Sequence, residues 1–189
     1  MVSPGLEGTE SLLIITGGMG AGKSRVLAEA SDILWRDHLS HAAIDVDMLG
    51  LGCLPSGAAT HEVHEVMYEN LRSVARNYAA AGVRRFLVAR SLENRSQLDI
   101  CREIFSARDT VVCRVNASLL LMQERVQSRE KGISRQEYIA RVTELSEILD
   151  RAGLEDFAVV NENRHITDVA AEMLVRAGWI STVPQAGAD

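Results

Sequence analysis

Residues 12–24 of the chain read LLIITGGMGAGKS, and this stretch decides the fold. An apolar run comes first, the spacing G-x-x-x-x-G-K-[ST] follows from Gly17 to Ser24, and an amphipathic stretch comes next. A strand before the glycines and a helix after them are the context that a phosphate-binding loop requires. The stretch therefore predicts a loop that binds ATP or a similar nucleoside triphosphate.

Each position of the loop has a chemical reason. Glycines let backbone N–H groups curve around an anion, and a helix that begins near Gly22 directs its positive dipole end at the phosphates. Lys23 reaches the β- and γ-phosphates, and the Ser24 hydroxyl can ligate Mg²⁺. A glycine-rich turn without a ligand is the alternative, and the Lys-Ser pair weighs against it. The predicted nucleotide-binding residues of the loop are Gly17, Gly18, Met19, Gly20, Ala21, Gly22, Lys23 and Ser24.

Short apolar runs alternate with longer amphipathic stretches across residues 11–180. The predicted strands are Leu12–Thr16, Ala42–Val46, Arg85–Ala89, Thr110–Val115 and Phe157–Val160. The predicted helices are Gly22–Leu39, His61–Ala81, Glu93–Ser106, Ser118–Arg129, Arg135–Arg151 and Ile166–Ala177. This alternation predicts one α/β domain with a three-layer P-loop NTPase fold, in which helices cover both faces of a five-stranded, mostly parallel sheet. Residues 1–10 and 181–189 are predicted to be flexible tails.

Composition narrows the class of protein. The 189 residues suit one domain, and a net charge of −6 disfavours a nucleic-acid partner, because such proteins usually carry a basic patch or stripe. Cys53, Cys101 and Cys113 lack CxxC spacing, so they are expected to be reduced thiols. The apolar run at residues 12–15 is too short for a signal peptide or a membrane span. We expect a cytoplasmic protein that binds no membrane and exists as a monomer or a homodimer.

Two further motifs follow strands of the predicted sheet. The second strand ends in Ile44-Asp45-Val46-Asp47, and a helical stretch with Arg125 and Arg129 follows the fourth strand. Together with the loop, these motifs resemble the small P-loop kinases, which include the shikimate, gluconate, adenylylsulfate and chloramphenicol kinases and, more distantly, the nucleoside monophosphate kinases. The resemblance runs from about residue 12 to residue 179. It implies a kinase that uses ATP and Mg²⁺ to phosphorylate a small-molecule acceptor.

The resemblance implies roles for the acidic residues. In these kinases an acidic residue, often part of a D-x-D pair, faces the γ-phosphate here and helps to place Mg²⁺ or takes the acceptor proton. Asp45 is therefore the candidate base, the candidate metal ligands are Ser24, Asp45 and Asp47, and Asp47 is also a candidate substrate contact. Because side chains alternate along a strand, Asp45 and Asp47 are expected to lie on the same side. The alternative is that the pair only opens a loop, since aspartate is common after strands.

The resemblance also implies a lid that begins at the arginine helix. Arg125 and Arg129 are four residues apart and share one helix face, and guanidinium groups suit phosphate oxygens. Both are candidate catalytic residues together with Lys23 and Asp45, and residues 128–136 are the candidate lid. A solvated helix face, on which the arginines pair with neighbouring glutamates, is the alternative.

The two remaining candidate sites follow the last and the third strands. The last strand resembles the final strand of these kinases, which implies that Asn161, Asn163 and Arg164 lie near the nucleotide base. The third strand departs from the pattern, because Arg90 follows it where many P-loop proteins have an acidic Walker B residue. Arg90 would favour an anionic substrate or form an ion pair with an acidic neighbour, and Glu93 could reach in to supply the acid. The missing acid also supports a second hypothesis, a nucleotide-dependent switch or weak ATPase that acts through a partner protein.

The first expected outcome concerns Lys23→Ala. The substitution should remove most of the affinity for ATP–Mg²⁺ and leave the chain folded, because the lysine is expected to face the phosphates and not the core. Calorimetric titration measures the affinity, and the thermal midpoint of unfolding serves as the control. Unchanged affinity in a folded variant would contradict the loop assignment.

Overall fold

The computed structural model describes residues 8–52, 54–55, 60–132 and 135–181, with the backbone alone at residues 60 and 61. Most of both predicted tails, residues 1–7 and 182–189, lies outside the described residues. The five strands are β1 (Ser11–Thr16), β2 (Ala42–Asp45), β3 (Arg85–Ala89), β4 (Asp109–Asn116) and β5 (Phe157–Val160). The helices are α1 (Lys23–Arg36), α2 (Val46–Leu49), α3 (Thr60–Ala80), α4 (Arg95–Phe105), α5 (Leu119–Arg129), α6 (Arg135–Ala152) and α7 (Ile166–Arg176).

The sheet has the order β2-β3-β1-β4-β5, and every neighbouring pair of strands is parallel. This arrangement confirms the predicted α/β P-loop NTPase fold. β1 lies in the middle, paired on one side with β3 and on the other with β4. Strands inside a parallel sheet are buried on both faces, which explains why β1 reads as a continuous apolar run. The loop that follows β1 is therefore at the centre of the sheet's carboxyl edge.

Two hydrophobic cores lie on opposite faces of the sheet. Leu13 and Ile15 of β1 belong to the core that α1, α5, α6 and α7 cover. Leu12 and Ile14 belong to the core that includes α3 and α4. Because successive side chains of a strand point to opposite faces, one strand supplies both cores. The three layers follow directly from this alternation.

One buried cysteine lies in each core. Cys113 of β4 belongs to the core beneath α1 and α7, and Cys101 of α4 belongs to the other core. Burial raises the pKa of Cys101 to about 11 and the pKa of Cys113 to about 12. Both thiols are free, as the sequence predicts, and Cys53 lies outside the described residues.

The predicted strand Ala42–Val46 is one residue too long, and the short helix α2 was not predicted. β2 ends at Asp45, which has the extended backbone of an N-cap, and the chain enters α2 at Val46. Alternation along a strand therefore does not relate Asp45 to Asp47, and that argument was wrong. The predicted start of the first helix at Gly22 also differs, because Gly22 is the N-cap of α1 with a φ of 101°. Between α2 and α3, residues 53 and 56–59 lie outside the described residues.

The second expected outcome concerns the core beneath α1. Leu87 of β3 is fully buried, so Leu87→Ala should lower the free energy of unfolding by about 3 kcal/mol through lost burial and a cavity. Leu120→Ala is the matched control, because Leu120 is 67% exposed on α5 and should change stability by less than about 0.5 kcal/mol. Chemical denaturation measures both values. Equal losses would contradict the assignment of this core.

Candidate active site

The phosphate-binding loop lies tightly against the elements beneath it. Gly20 has a φ of 84°, in the left-handed region that favours glycine. A Cβ atom on Gly20 would lie 2.4 Å from the Met122 carbonyl oxygen of α5, so even alanine has no room there. Ser91, which follows β3, donates from its hydroxyl to the Gly17 carbonyl oxygen at 3.0 Å. The loop thus has contacts from both neighbouring sides of the sheet and a cradle that larger side chains would fill.

Lys23 lies folded back over the loop. Its Nζ donates to the carbonyl oxygens of Gly17 at 3.1 Å and Gly18 at 3.3 Å. Burial lowers the pKa of Lys23, an effect that the carboxylates of Asp47 and Asp45 oppose. The ammonium group therefore lies among the loop carbonyls and close to both acids. An anionic phosphate in the loop would add a further partner for this cation.

Ser24 and Asp45, two of the candidate metal ligands, are hydrogen-bonded to each other. The Ser24 hydroxyl donates to Asp45 Oδ2 at 2.6 Å, which brings the start of α1 to the end of β2. Hydroxyl and carboxylate oxygens are ligands that suit Mg²⁺, which usually takes only one or two carboxylates and keeps several waters. The described residues contain no group of three or more His, Cys, Asp or Glu side chains that could hold a metal ion. An ion at this pair would therefore need phosphate or water oxygens as further ligands.

Asp47 and Arg90 form an ion pair beside this oxygen pair. Arg90 Nη1 lies 2.5 Å from Asp47 Oδ1, and the arginine side chain is 10% exposed whereas the aspartate side chain is 43% exposed. Burial disfavours the guanidinium charge, but the interactions with Asp47 and, to a smaller extent, with Tyr68 together outweigh it and raise the pKa of Arg90. Of the two predicted roles of Arg90, the structure shows the ion pair with an acidic neighbour. Asp47 reaches the site from the first turn of α2.

Glu93 is held by an arginine of α6. Arg141 of α6 donates from Nη2 to Glu93 Oε1 at 2.9 Å and to Oε2 at 2.8 Å, and its Nη1 lies 2.9 Å from Glu144 Oε2. The carboxylate predicted as a substitute for the missing third-strand acid is thus paired with arginine. Arg141 and Ser91 were not predicted. The sequence does contain a signal for Ser91, because this residue directly follows a predicted strand of the parallel sheet. It contains no such signal for Arg141, because nothing in the sequence pairs α6 with the segment that follows β3.

The two arginines of α5 have different surroundings. Arg125 donates to carbonyl oxygens of the phosphate-binding loop and of Asn161. Arg129 has a 65% exposed side chain and donates from Nε to Glu130 at 2.7 Å, as in the solvated-face alternative. It nonetheless lies near enough to Lys23 to lower the pKa of that lysine, after burial and Arg90. Of the predicted lid at residues 128–136, residues 133 and 134 lie outside the described residues.

The predicted base-binding residues follow β5. Asn161 is 7% exposed and donates from Nδ2 to the Ala21 carbonyl oxygen at 2.8 Å. Asn163 has a φ of 54°, and Arg164 points towards α7, where Nη1 lies 2.6 Å from Glu172 Oε2. Asn161 is thus the one of these three that the described contacts join to the loop.

Solved structures resemble this chain, although no protein-family model and no curated protein matches its sequence. A gluconokinase from Sinorhizobium meliloti 1021 is 18% identical, with a TM-score of 0.57 over 90% of this chain and 93% of that one. The shikimate kinase from Acinetobacter baumannii, in complex with shikimate, is 15% identical, with a TM-score of 0.55 over 89% and 93%. The APS kinase of Mycobacterium tuberculosis, in complex with AMPPNP and APS, is 18% identical, with a TM-score of 0.59 over 88% and 96%.

The fold is that of the small P-loop kinases. The likeness covers nearly all of this chain and nearly all of each neighbour, so it concerns the whole domain and not the loop alone. The resemblance predicted from the loop, the acidic pair and the arginine helix is confirmed at the level of the fold. In addition, none of the described helices is both long and apolar enough to cross a membrane.

The third expected outcome concerns the ion pair of Asp47 and Arg90. Asp47→Asn leaves a buried guanidinium without its charged partner and should lower the free energy of unfolding by about 1–3 kcal/mol. This value is below that for a fully buried ion pair because solvent reaches the aspartate. Arg90→Met should cost less, because the remaining carboxylate can reach water. Chemical denaturation of both variants and of the double variant measures this asymmetry. A larger loss in Arg90→Met than in Asp47→Asn would show that the guanidinium does not depend on Asp47.

Proposed function

We propose that this protein is an ATP-dependent small-molecule kinase that transfers the γ-phosphoryl group to a hydroxyl or phosphate group of its acceptor. The observation that carries the proposal is the Ser24–Asp45 hydrogen bond at the start of α1, with Lys23 in the loop beside it. A glycine-rich anion cradle, a lysine and a Mg²⁺-suited oxygen pair are the parts that phosphoryl transfer needs. Catalysis would come from positioning and charge neutralisation.

The structural neighbours support the choice of reaction. The shikimate kinase holds shikimate, and the APS kinase holds AMPPNP together with APS. These ligands fit a nucleoside triphosphate and a small molecule as partners of this chain. We extend that choice to a cytoplasmic enzyme with no nucleic-acid or membrane partner, as its composition predicts, and its state as a monomer or homodimer stays a prediction.

Each residue of the site has a part in the proposal. The loop from Gly17 to Gly22 would hold the phosphates with its backbone N–H groups, and Lys23 would neutralise their charge. Ser24 and Asp45 would hold Mg²⁺, which supplies charge neutralisation at the β- and γ-phosphates when bound. The acceptor oxygen forms the new bond to phosphorus, the bond to the bridging oxygen of the nucleotide breaks, and the acceptor proton passes to a carboxylate.

The two aspartates have different partners and therefore different proposed roles. Asp45 is in contact with Ser24 and remains the predicted base and metal ligand. Asp47 is held by Arg90, so its second oxygen is the one left to meet an acceptor hydroxyl. Arg129 lies exposed at the end of α5 and is paired with Glu130. It would have to leave Glu130 to approach a transferring phosphoryl group. An arginine there would stabilise charge on the equatorial oxygens.

A weak ATPase or nucleotide-dependent switch is the second candidate function. The observation that favours it is the occupation of the third-strand position by Arg90, which is committed to Asp47. A screen of ADP release across sugars, nucleosides, acidic metabolites and aminocyclitols separates the two functions. The Lys23→Ala protein, purified in parallel, reveals any contaminating kinase. ADP release that no acceptor accelerates would favour the switch, whereas release that rises with one acceptor and yields its phosphate would favour the kinase.

The fourth expected outcome concerns Asp45→Asn with the acceptor from that screen. Turnover should fall by about 10²-fold or more, the range for loss of a general base, and the affinity for ATP should change much less. Asp32→Asn is the control, because Asp32 is exposed on α1. Steady-state kinetics and calorimetry supply the two values. Near-normal turnover in Asp45→Asn would remove the base role from this residue.

A further inference from the structure

The last turn of the phosphate-binding loop is held by two side chains from neighbouring elements. Asn161, directly after β5, donates from Nδ2 to the Ala21 carbonyl oxygen at 2.8 Å. Arg125 of α5 donates from Nη1 to the carbonyl oxygens of Gly20 at 3.3 Å and Ala21 at 3.4 Å. Its Nη2 donates to the Asn161 carbonyl oxygen at 3.0 Å, which joins the two side chains. Asn161 and Arg125 thus form a clamp on the backbone of the loop.

Asn161 is itself held in a fixed position by its surroundings. The Asn161 backbone N–H donates to the Asn116 carbonyl oxygen at 2.7 Å, which ties it to the end of β4. A Cβ atom on Gly22 would lie 2.3 Å from Asn161 Nδ2, so the amide is packed directly against the loop. Asn161 is also 7% exposed, and a buried amide that lost its partner would be costly. The position of the Ala21 carbonyl is therefore determined by a fixed donor.

The geometry of the peptide bond carries this constraint to the ligand side. The Ala21 carbonyl and the Gly22 N–H belong to one peptide unit, which is planar and trans, so the two groups point in opposite directions. A carbonyl drawn towards Asn161 turns the Gly22 N–H away from Asn161. N–H groups at the start of a helix are the donors that bind anions, and α1 begins at Lys23.

We propose that Asn161 and Arg125 are positioning residues that aim the Gly22 N–H at a nucleotide phosphate. They act on the phosphate through the loop backbone, not by contact with the base or with the transferred phosphoryl group. The inference rests on the proposed function only in that the loop binds nucleotide phosphates. Donors that are oriented before the ligand arrives lose less free energy when they bind it, so the clamp raises phosphate affinity.

Two ligands that share phosphates but differ in the base test the inference. ATP–Mg²⁺ and inorganic tripolyphosphate–Mg²⁺ are each titrated by calorimetry into the full chain. Asn161→Leu removes the donor at similar volume, and Arg125→Met removes the other half of the clamp. Each variant should lower the affinity for both ligands by about 10-fold, the effect of one lost hydrogen bond to a well-placed donor. Glu124→Gln, an exposed neighbour on the same helix, should change neither affinity.

The outcomes separate this inference from its rivals. If Asn161→Leu weakens ATP and leaves tripolyphosphate unchanged, Asn161 is a contact of the base and the inference is overturned. If a folded Arg125→Met variant keeps both affinities, the clamp has no effect on phosphate and the inference also fails. Thermal midpoints identify an unfolded variant, and either half of the clamp is sufficient for the test. The titrations need no acceptor, so the two proposals fail separately: wild-type binding of both ligands without acceptor-stimulated ADP release in the screen above overturns the kinase proposal alone, whereas a wild-type chain that binds neither ligand overturns both.

Discussion

The burial of β1 between β3 and β4 is the constraint on which the rest of this structure depends. A strand with parallel neighbours on both sides runs in their direction, so the loop that follows it opens at the centre of the carboxyl edge. Ser91 reaches the loop from the β3 side, and Asp45 reaches it from β2. Residues far apart in the sequence are in this way brought to one point without long side chains or an added domain.

The loop and its strand could be predicted from the sequence because their chemistry is local. The glycine spacing, the lysine and the serine each follow from the needs of an anion cradle. A strand buried on both faces is a continuous apolar run, which can be recognised without knowing its neighbouring strands. The turn of the chain from β2 into α2 could not be predicted, because Asp45 is both the last residue of the strand and the N-cap of the helix. Asp47 belongs to the first turn of a helix, so alternation along a strand does not relate it to Asp45.

Long-range pairs could not be predicted for a different reason. Arg141 and Glu93 are 48 residues apart, and their contact depends on where α6 lies relative to the segment that follows β3. The same holds for Asn161, whose amide meets Ala21 across 140 residues. A single sequence supplies the types of such residues but not the crossing of the elements that carry them. The resemblance to kinases implies that Asn161 lies near the nucleotide, whereas only the structure shows its hydrogen bond to a backbone carbonyl oxygen.

Most of the charged side chains described at the candidate site are paired within the protein. Arg90 faces Asp47, Arg141 faces both Glu93 and Glu144, and Arg129 faces Glu130. Lys23 differs, because the hydrogen bonds of its ammonium group go to loop carbonyls while both acids attract it from a distance. An entering phosphate would therefore meet in Lys23 a cation that needs no ion pair to be broken first. Arg90, Arg129 and Arg141 would each have to exchange one anionic partner for another.

The placement of Cys101 and Cys113 gives the chain an internal reporter on each face of its sheet. Both thiols are fully buried and both have raised pKa values, so neither reacts as a thiolate while its core is closed. A thiol reagent would modify Cys113 only when the layer under α1 and α7 opens, and Cys101 only when the layer under α3 and α4 opens. Equal labelling rates would mean that the two layers open as one cooperative unit. Unequal rates would identify the layer that yields first, without any engineered probe.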